Sequence, residues 1–154
     1  MYVDWPFEKA FAHAASLGYT GVEIAPFTIH KDVFKIPKSK RDEIRELSRA
    51  NGIEIIGLHW LLAKTTGLHL TTADAEVRQR TIEYRCELAS LCNDLGGKVM
   101  VFGSPPQRNV PEGVSEQEAF EHAVEVFQAI SPTLERTGVT LALEPLGPEE
   151  GNFM

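Results

Sequence analysis

Three ionisable side chains stand at or near the ends of short apolar runs: Glu23 in "GVEIA", His59 closing "IEIIGLH" and Glu144 closing "VTLALE". A fourth run, "KVMVFG", ends on Gly103 and is followed by Ser104. Carboxylates and imidazoles move protons and ligate divalent cations. If the runs are parallel strands, their C-terminal ends open on one mouth, where the active sites of α/β folds gather. Glu144 carries the most weight. A carboxylate closing a buried run is costly unless something compensates it, and a metal ion is one good compensator. Two uses stay open for the others. Glu23 is either a site carboxylate or a solvated or helix-capping one, and His59 either a site imidazole or a hydrogen-bonded packing residue.

The neighbouring segments add weaker candidates. Trp60, at the start of "HWLLAKTTGLHLTT", either stacks on an apolar sugar face or anchors the loop on the rim. His69 in the same loop reads as packing near the next helix. His13, His30 and His122 lack partners at ligand spacing and read as structural or solvent-exposed. In "FGSPPQRN", nothing marks Ser104 as a nucleophile, and the turn there shapes a rim or bonds substrate. Arg108 reads as a solvated loop arginine, with phosphate or carboxylate binding as the alternative. There is no GxGxxG after a strand, no GxxxxGK[ST], no GxSxG and no CxxC, so nucleotide-loop, serine-hydrolase and paired-thiol chemistries lack their signatures.

The elements that position these residues follow a rhythm. Four times a helical pattern stops at a glycine and an apolar run follows, with Gly18, Gly52, Gly96 and Gly138 as the stops. Their separations of about 34, 44 and 42 residues suit one βα unit each. The first helix is expected to be capped by Asp4, with Phe7, Phe11, Ala14 and Leu17 facing inward. The second is expected to open on Ser39 with Asp42, with Ile44 and Leu47 inward, and the third on Thr71 with Asp74. The third's stripe is Val77, Thr81, Tyr84, Leu88, Leu91 and Leu95. Ser115 with Glu118 forms a capping box for the fourth, whose apolar face reads as Phe120, Val124, Phe127, Ile130 and Leu134. Pro132 is expected to kink that helix or loosen its last turns. Nearly continuous apolar strands predict a parallel sheet covered on both faces. The class is α/β, and residues 1–154 read as one domain.

Composition narrows the function. With 43% apolar and 24% charged residues the 154-residue chain suits a globular domain with a real core. A net charge of −7 argues against a nucleic-acid partner. No run approaches the roughly 20 apolar residues of a membrane span, and the N-terminus lacks the pattern of a secretory signal. Cys86 and Cys92 sit on different faces of one predicted helix. Free thiols suggest a reducing, cytoplasmic setting.

Four stretches together carry a resemblance: "LGYTGVEIAPF" (17–27), "GIEIIGLHW" (52–60), "EVRQRTIEYRCELASLCNDLGGKVMVFGSP" (76–105) and "GVTLALEPLGPEEGNF" (138–153). The chain resembles the sugar phosphate isomerase/epimerase family of xylose-isomerase-like TIM barrels. That resemblance implies a (β/α)8 barrel, here an incomplete portion covering about strands 2–5 with their helices. It also implies a divalent metal at the barrel mouth, manganese first, with magnesium, cobalt or zinc as alternatives. In such epimerases two glutamates, an aspartate and a histidine from different strand ends hold the metal. Glu144 matches the first glutamate and is therefore both metal ligand and catalytic acid/base. The metal polarises a carbonyl while the proton moves on the adjacent carbon through an enediolate. Glu150, six residues on, is a candidate for contacting substrate hydroxyls, with Glu149 its competitor. His59, Trp60 and Glu23 are expected at the substrate.

The implied substrate is a small sugar, sugar phosphate or hydroxy-keto compound, and the reaction an isomerisation or epimerisation. An inosose-type dehydratase, an endonuclease IV-like repair enzyme and a non-catalytic barrel fragment are the rivals. Only "MYV" precedes Asp4 where a first strand is expected, and three later strands with the remaining metal ligands are missing. The chain is thus expected to be a fragment inactive alone, or to complete itself as a homo-oligomer.

Overall fold

The structure, a computed structural model, describes residue 2 and residues 4–153. The expected truncated first strand at "MYV" falls largely on residues outside these. Eight main elements alternate: α1 (Phe7–Ser16), β1 (Gly21–Ile24), α2 (Lys38–Ala50), β2 (Glu54–Leu58), α3 (Ala75–Leu95), β3 (Val99–Phe102), α4 (Glu116–Thr137) and β4 (Thr140–Leu143). The strands form one parallel sheet in the order β1-β2-β3-β4. Helices neighbour in sequence order, α1 on α2, α2 on α3 and α3 on α4. This is the expected α/β partial barrel.

Helix ends are legible where the cap is local. Ser115 accepts from the Glu118 N–H and Glu118 reaches back to the Ser115 N–H, closing the predicted box. Asp74 caps α3, accepting from the N–H groups of Glu76 and Val77; Thr71 lies before it and instead donates to the Asn109 carbonyl at 2.6 Å. Two expected caps are absent. Pro6 and Pro37 stand at the N-cap positions of α1 and α2, so neither Asp4 nor Ser39 caps a helix. Asp42, now inside α2, pairs instead with Lys38 and Arg45.

The stripe of α3 faces inward as expected, with Thr81, Tyr84, Leu88, Leu91 and Leu95 buried. The α4 face is rotated by about one residue from the expected one. Ala119, Ala123, Val126, Ile130 and Thr133 are buried, whereas Phe120 is 56% exposed. The small alanines let α4 approach α3, where Arg78 Nε reaches Glu125 at 3.0 Å. Helix α4 continues past Pro132 to Thr137. Leu17, expected inside, follows the end of α1 and is exposed.

Among the described residues helices cover one sheet face, where two covered faces were expected. Ile24, Leu58 and Met100 form a register row that is buried in the core. The adjacent row, Glu23, Gly57, Val99 and Thr140, lies on the other face. There Ile56 is 44% exposed, and on the edge strand β4 Leu143 is 47% exposed.

Among the buried polar residues one cation stands apart. Arg85 of α3 is 1% exposed, with its guanidinium carbon 3.7 Å from the Phe102 ring centroid and 5.7 Å from that of Phe127. None of its three side-chain nitrogens meets an acceptor among the described residues, and burial pushes its pKa down to about 9. Stacking on a ring returns only part of the solvation such a cation loses. Arg85→Met, which keeps the volume and removes the charge, is expected to stabilise the chain by about 1–2 kcal/mol in chemical denaturation. A loss of stability would show that the stacked cation holds α3 and α4 to the sheet.

Candidate functional site

The strand register decides which side chains reach the mouth. In β2, Ile53 and Ile55 are buried on the helix side. Strict alternation from Ile55 would send Gly57 and then His59 the same way. The β1–β2 pairing instead steps from Val22↔Ile55 to Glu23↔Gly57, so Ile56 is an extra residue in a bulge. Leu58 then returns to the core, and His59 follows on the opposite face with Glu23. The bulge brings Gly57 so close to the Val99 carbonyl that any Cβ there would collide with it. Glycine is therefore required at that position.

The ladder continues past the strand ends. The His59 N–H donates to the Ile24 carbonyl at 3.1 Å, and the Glu144 N–H to the Phe102 carbonyl at 3.0 Å. By alternation Glu144 falls on the face of Val101 and Ala142, away from Leu143. Glu23, His59 and Glu144 thus share one face at one end of the sheet, and both carboxylates act electrostatically on the imidazole. Burial lowers the His59 pKa below its ordinary value, while Glu23 and Glu144 oppose that shift. His59 is half-buried and both glutamates are exposed.

That exposure corrects one step of the sequence reasoning. β4 ends half-open to solvent, so Glu144 bears no large burial penalty that a cation must offset. Its carboxylate nevertheless makes no hydrogen bond among the described residues and lies against Gly103, where a Cβ would collide with Oε2. As an oxygen donor it suits a hard divalent cation. The described residues hold no group of three or more His, Cys, Asp or Glu side chains placed to ligate one.

Trp60 is on the rim, half-exposed, with φ at 52°. Its ring stacks on Phe27 at 6.1 Å between centroids and 24° between planes, beside His59 at 5.8 Å. Lys64 Nζ sits 4.4 Å from the Phe27 centroid. Glu150 lies in the turn after β4, and its carboxylate accepts from the Gly147 N–H at 3.3 Å. No hydrogen bond or ion pair joins it to Glu23, His59 or Glu144; Glu149 is likewise an exposed residue of that turn. A cleft of about 560 Å³ opens between α1 and the free edge of β1, lined by Phe7, Phe11 and Val22 with Glu23 and His59 among its walls.

Arg108 departs from expectation. It is fully buried, and its Nη1 donates to the carbonyls of Phe102 at 3.2 Å and Glu144 at 2.9 Å. Burial lowers its pKa and the nearby Glu144 charge counters that. The loop carrying it is tied down: Leu70 N–H donates to the Gln107 carbonyl at 2.7 Å, and the Ser104 hydroxyl accepts from the Leu62 N–H at 3.4 Å. Asn152 pairs with Asn109 and Val110, folding the segment after β4 over the same loop. His69 packs on α3 through Thr81, and His122 bonds the Thr71 carbonyl, both structural as read. Sequence reasoning missed Phe27 and Gly57, and read Gly103 only as the end of its strand.

Comparison with known proteins agrees with this geometry. The description "Xylose isomerase-like TIM barrel" matches residues 11–154. The chain belongs to that family. No curated protein matches its sequence. Among solved structures, a D-psicose 3-epimerase determined in the presence of D-fructose superposes with a TM-score of 0.75 at 18% identity, over 99% of this chain and 51% of its own. A D-psicose 3-epimerase from Clostridium cellulolyticum H10, determined with D-tagatose, gives 0.78 at 16% identity over 98% and 50%. A 3-keto-D-glucoside 4-epimerase from E. coli gives 0.71 at 15% over 94% and 53%. The chain thus spans about half the length of these structures, and at such identities they share its fold. No helix among the described residues is long and apolar enough to cross a membrane.

The shared mouth has a measurable consequence. The His59 pKa, read from its ring-proton shifts, is expected below 6.5. Because the two carboxylates hold it up, Glu23→Gln and Glu144→Gln are each expected to lower it further. A rise, or no change in either variant, would separate the three side chains. By linkage, an imidazole whose folded pKa is depressed costs nothing above the unfolded value; it destabilises the fold as pH falls below about 6.5.

Proposed function

We propose that this chain belongs to a metal-dependent isomerase or epimerase of a small sugar, sugar phosphate or hydroxy-keto compound. The reading concerns the complete barrel; residues 1–154 alone are proposed to be inactive. Its main support is the convergence of Glu144, His59 and Glu23 at the C-terminal end of a parallel sheet, with the Glu144 carboxylate unbonded and facing the mouth.

Each side chain then has a task. The Glu144 carboxylate takes or returns the proton on the carbon beside the substrate carbonyl, passing through an enediolate. It also serves as one oxygen ligand of a divalent cation, manganese in first place, whose other ligands come from outside the described residues. When bound, the cation polarises the carbonyl oxygen. His59, held neutral by burial, offers one ring nitrogen as donor and the other as acceptor to substrate hydroxyls. Glu23 accepts from a hydroxyl at the same rim. The Trp60 ring, braced on Phe27, covers an apolar sugar face. Glu150 joins the substrate contacts only if its turn opens from Gly147. The setting is cytoplasmic, with no nucleic-acid or membrane partner.

In the complete protein, Glu144→Gln is expected to lower kcat by about 10²–10⁴-fold and to weaken manganese binding in calorimetry. Near-normal turnover of the variant would defeat the assignment.

A further inference from the structure

We infer that Gly103 and Arg108, in the segment joining β3 to α4, are positioning residues that set the place of the Glu144 carboxylate. The inference deepens the reading of Glu144 as metal ligand and acid/base, and rests on it for its functional consequence.

β4 is an edge strand four residues long, paired with β3 on one side, and Glu144 lies one residue beyond it. Such an end frays unless its backbone groups are held. Both of them are. The Glu144 N–H donates to the Phe102 carbonyl, and the Glu144 carbonyl accepts from Arg108 Nη1, which donates to the Phe102 carbonyl as well. One guanidinium therefore ties the last carbonyl of β3 to the carbonyl just beyond β4. Charge-assisted bonds of this kind are roughly twice as strong as neutral ones. Arg108 Nη1 meets the Glu144 backbone carbonyl at 2.9 Å, while the Glu144 carboxylate lies against Gly103.

Gly103 completes the bracket from the other side. The carboxylate occupies the space that a side chain at 103 would fill. The loop itself cannot easily yield. Ser104 takes a left-handed φ of 42°, Pro105 and Pro106 start a 3-10 turn, and Gln107 and Asn109 are held by Leu70 and Thr71. The motif thus holds the backbone at Glu144 and leaves room beside Gly103 for its carboxylate.

Amide hydrogen exchange and side-chain carboxyl NMR on the 154-residue chain test this. In Arg108→Met, exchange at the Glu144 amide is expected to rise at least tenfold, with the amides of Leu88 and Met100 unchanged. Arg108→Lys, which can still donate to both carbonyls, is expected to restore much of the protection. Gly103→Ala is expected to shift the Glu144 carboxyl resonance while the Leu88 and Met100 amides keep their protection. No change at Glu144 in Arg108→Met, an equal rise over all strands, or an unmoved carboxyl resonance in Gly103→Ala would each overturn the inference. A second arm uses the complete barrel, where Gly103→Ala is expected to weaken manganese binding by about 10–100-fold. Unchanged manganese affinity there, with the NMR effects present, would leave the bracket standing and remove the metal reading.

Discussion

The placement of the candidate site depends on one irregularity in backbone pairing. Where β2 lies beside β1, Ile56 is an extra residue, and Gly57 alone can meet the Val99 carbonyl that closes in on it. That step changes the parity of everything after it. Leu58 enters the core and His59 leaves it. Without the bulge the imidazole would point among the helices, and the two carboxylates would face the mouth alone. A bulge that re-aims one side chain beside a functional site is a recurrent use of the device.

Two buried arginines show what burial asks of a cation. Arg108 meets two backbone carbonyls and lies near the Glu144 charge. Arg85, equally buried, meets the faces of Phe102 and Phe127 and no acceptor among the described residues. The two guanidiniums approach Phe102 together, Arg108 at 5.8 Å from its centroid. The first cation works as a fastener for the site. The second is a charge held mainly by packing, between the helices that press β3 into place.

The sheet has polar groups and open backbone where a closed barrel would have neighbours. Among the described residues the outer edges of β1 and β4 are unpaired, and Ile56 and Leu143 are half-exposed on opposite faces. Related structures are about twice as long as this chain. In the proposed function Glu144 is one contributor to a mouth that more strands surround. Its exposure goes with its place after an edge strand, whose side away from β3 no described strand pairs.

Much of the architecture was written locally. Glycine stops, apolar periodicity, the Ser115 and Glu118 box and the Asp74 cap depend on neighbours a few residues away, so they could be read directly. The three strand-end residues were legible for the same reason: a run and its last side chain are adjacent in sequence. Local reading failed where a proline pre-empted a cap, at Pro6 and Pro37. It also failed in part in α4, where Ile130 is buried as expected but the other four candidate face residues sit one position from buried ones, because packing against α3 selects the small alanines. Which face His59 takes, what Arg108 holds and where the Glu144 carboxylate rests were decided only in three dimensions. Each depends on contacts between strands and loops tens of residues apart, and no sequence period encodes how two backbones slip past one another.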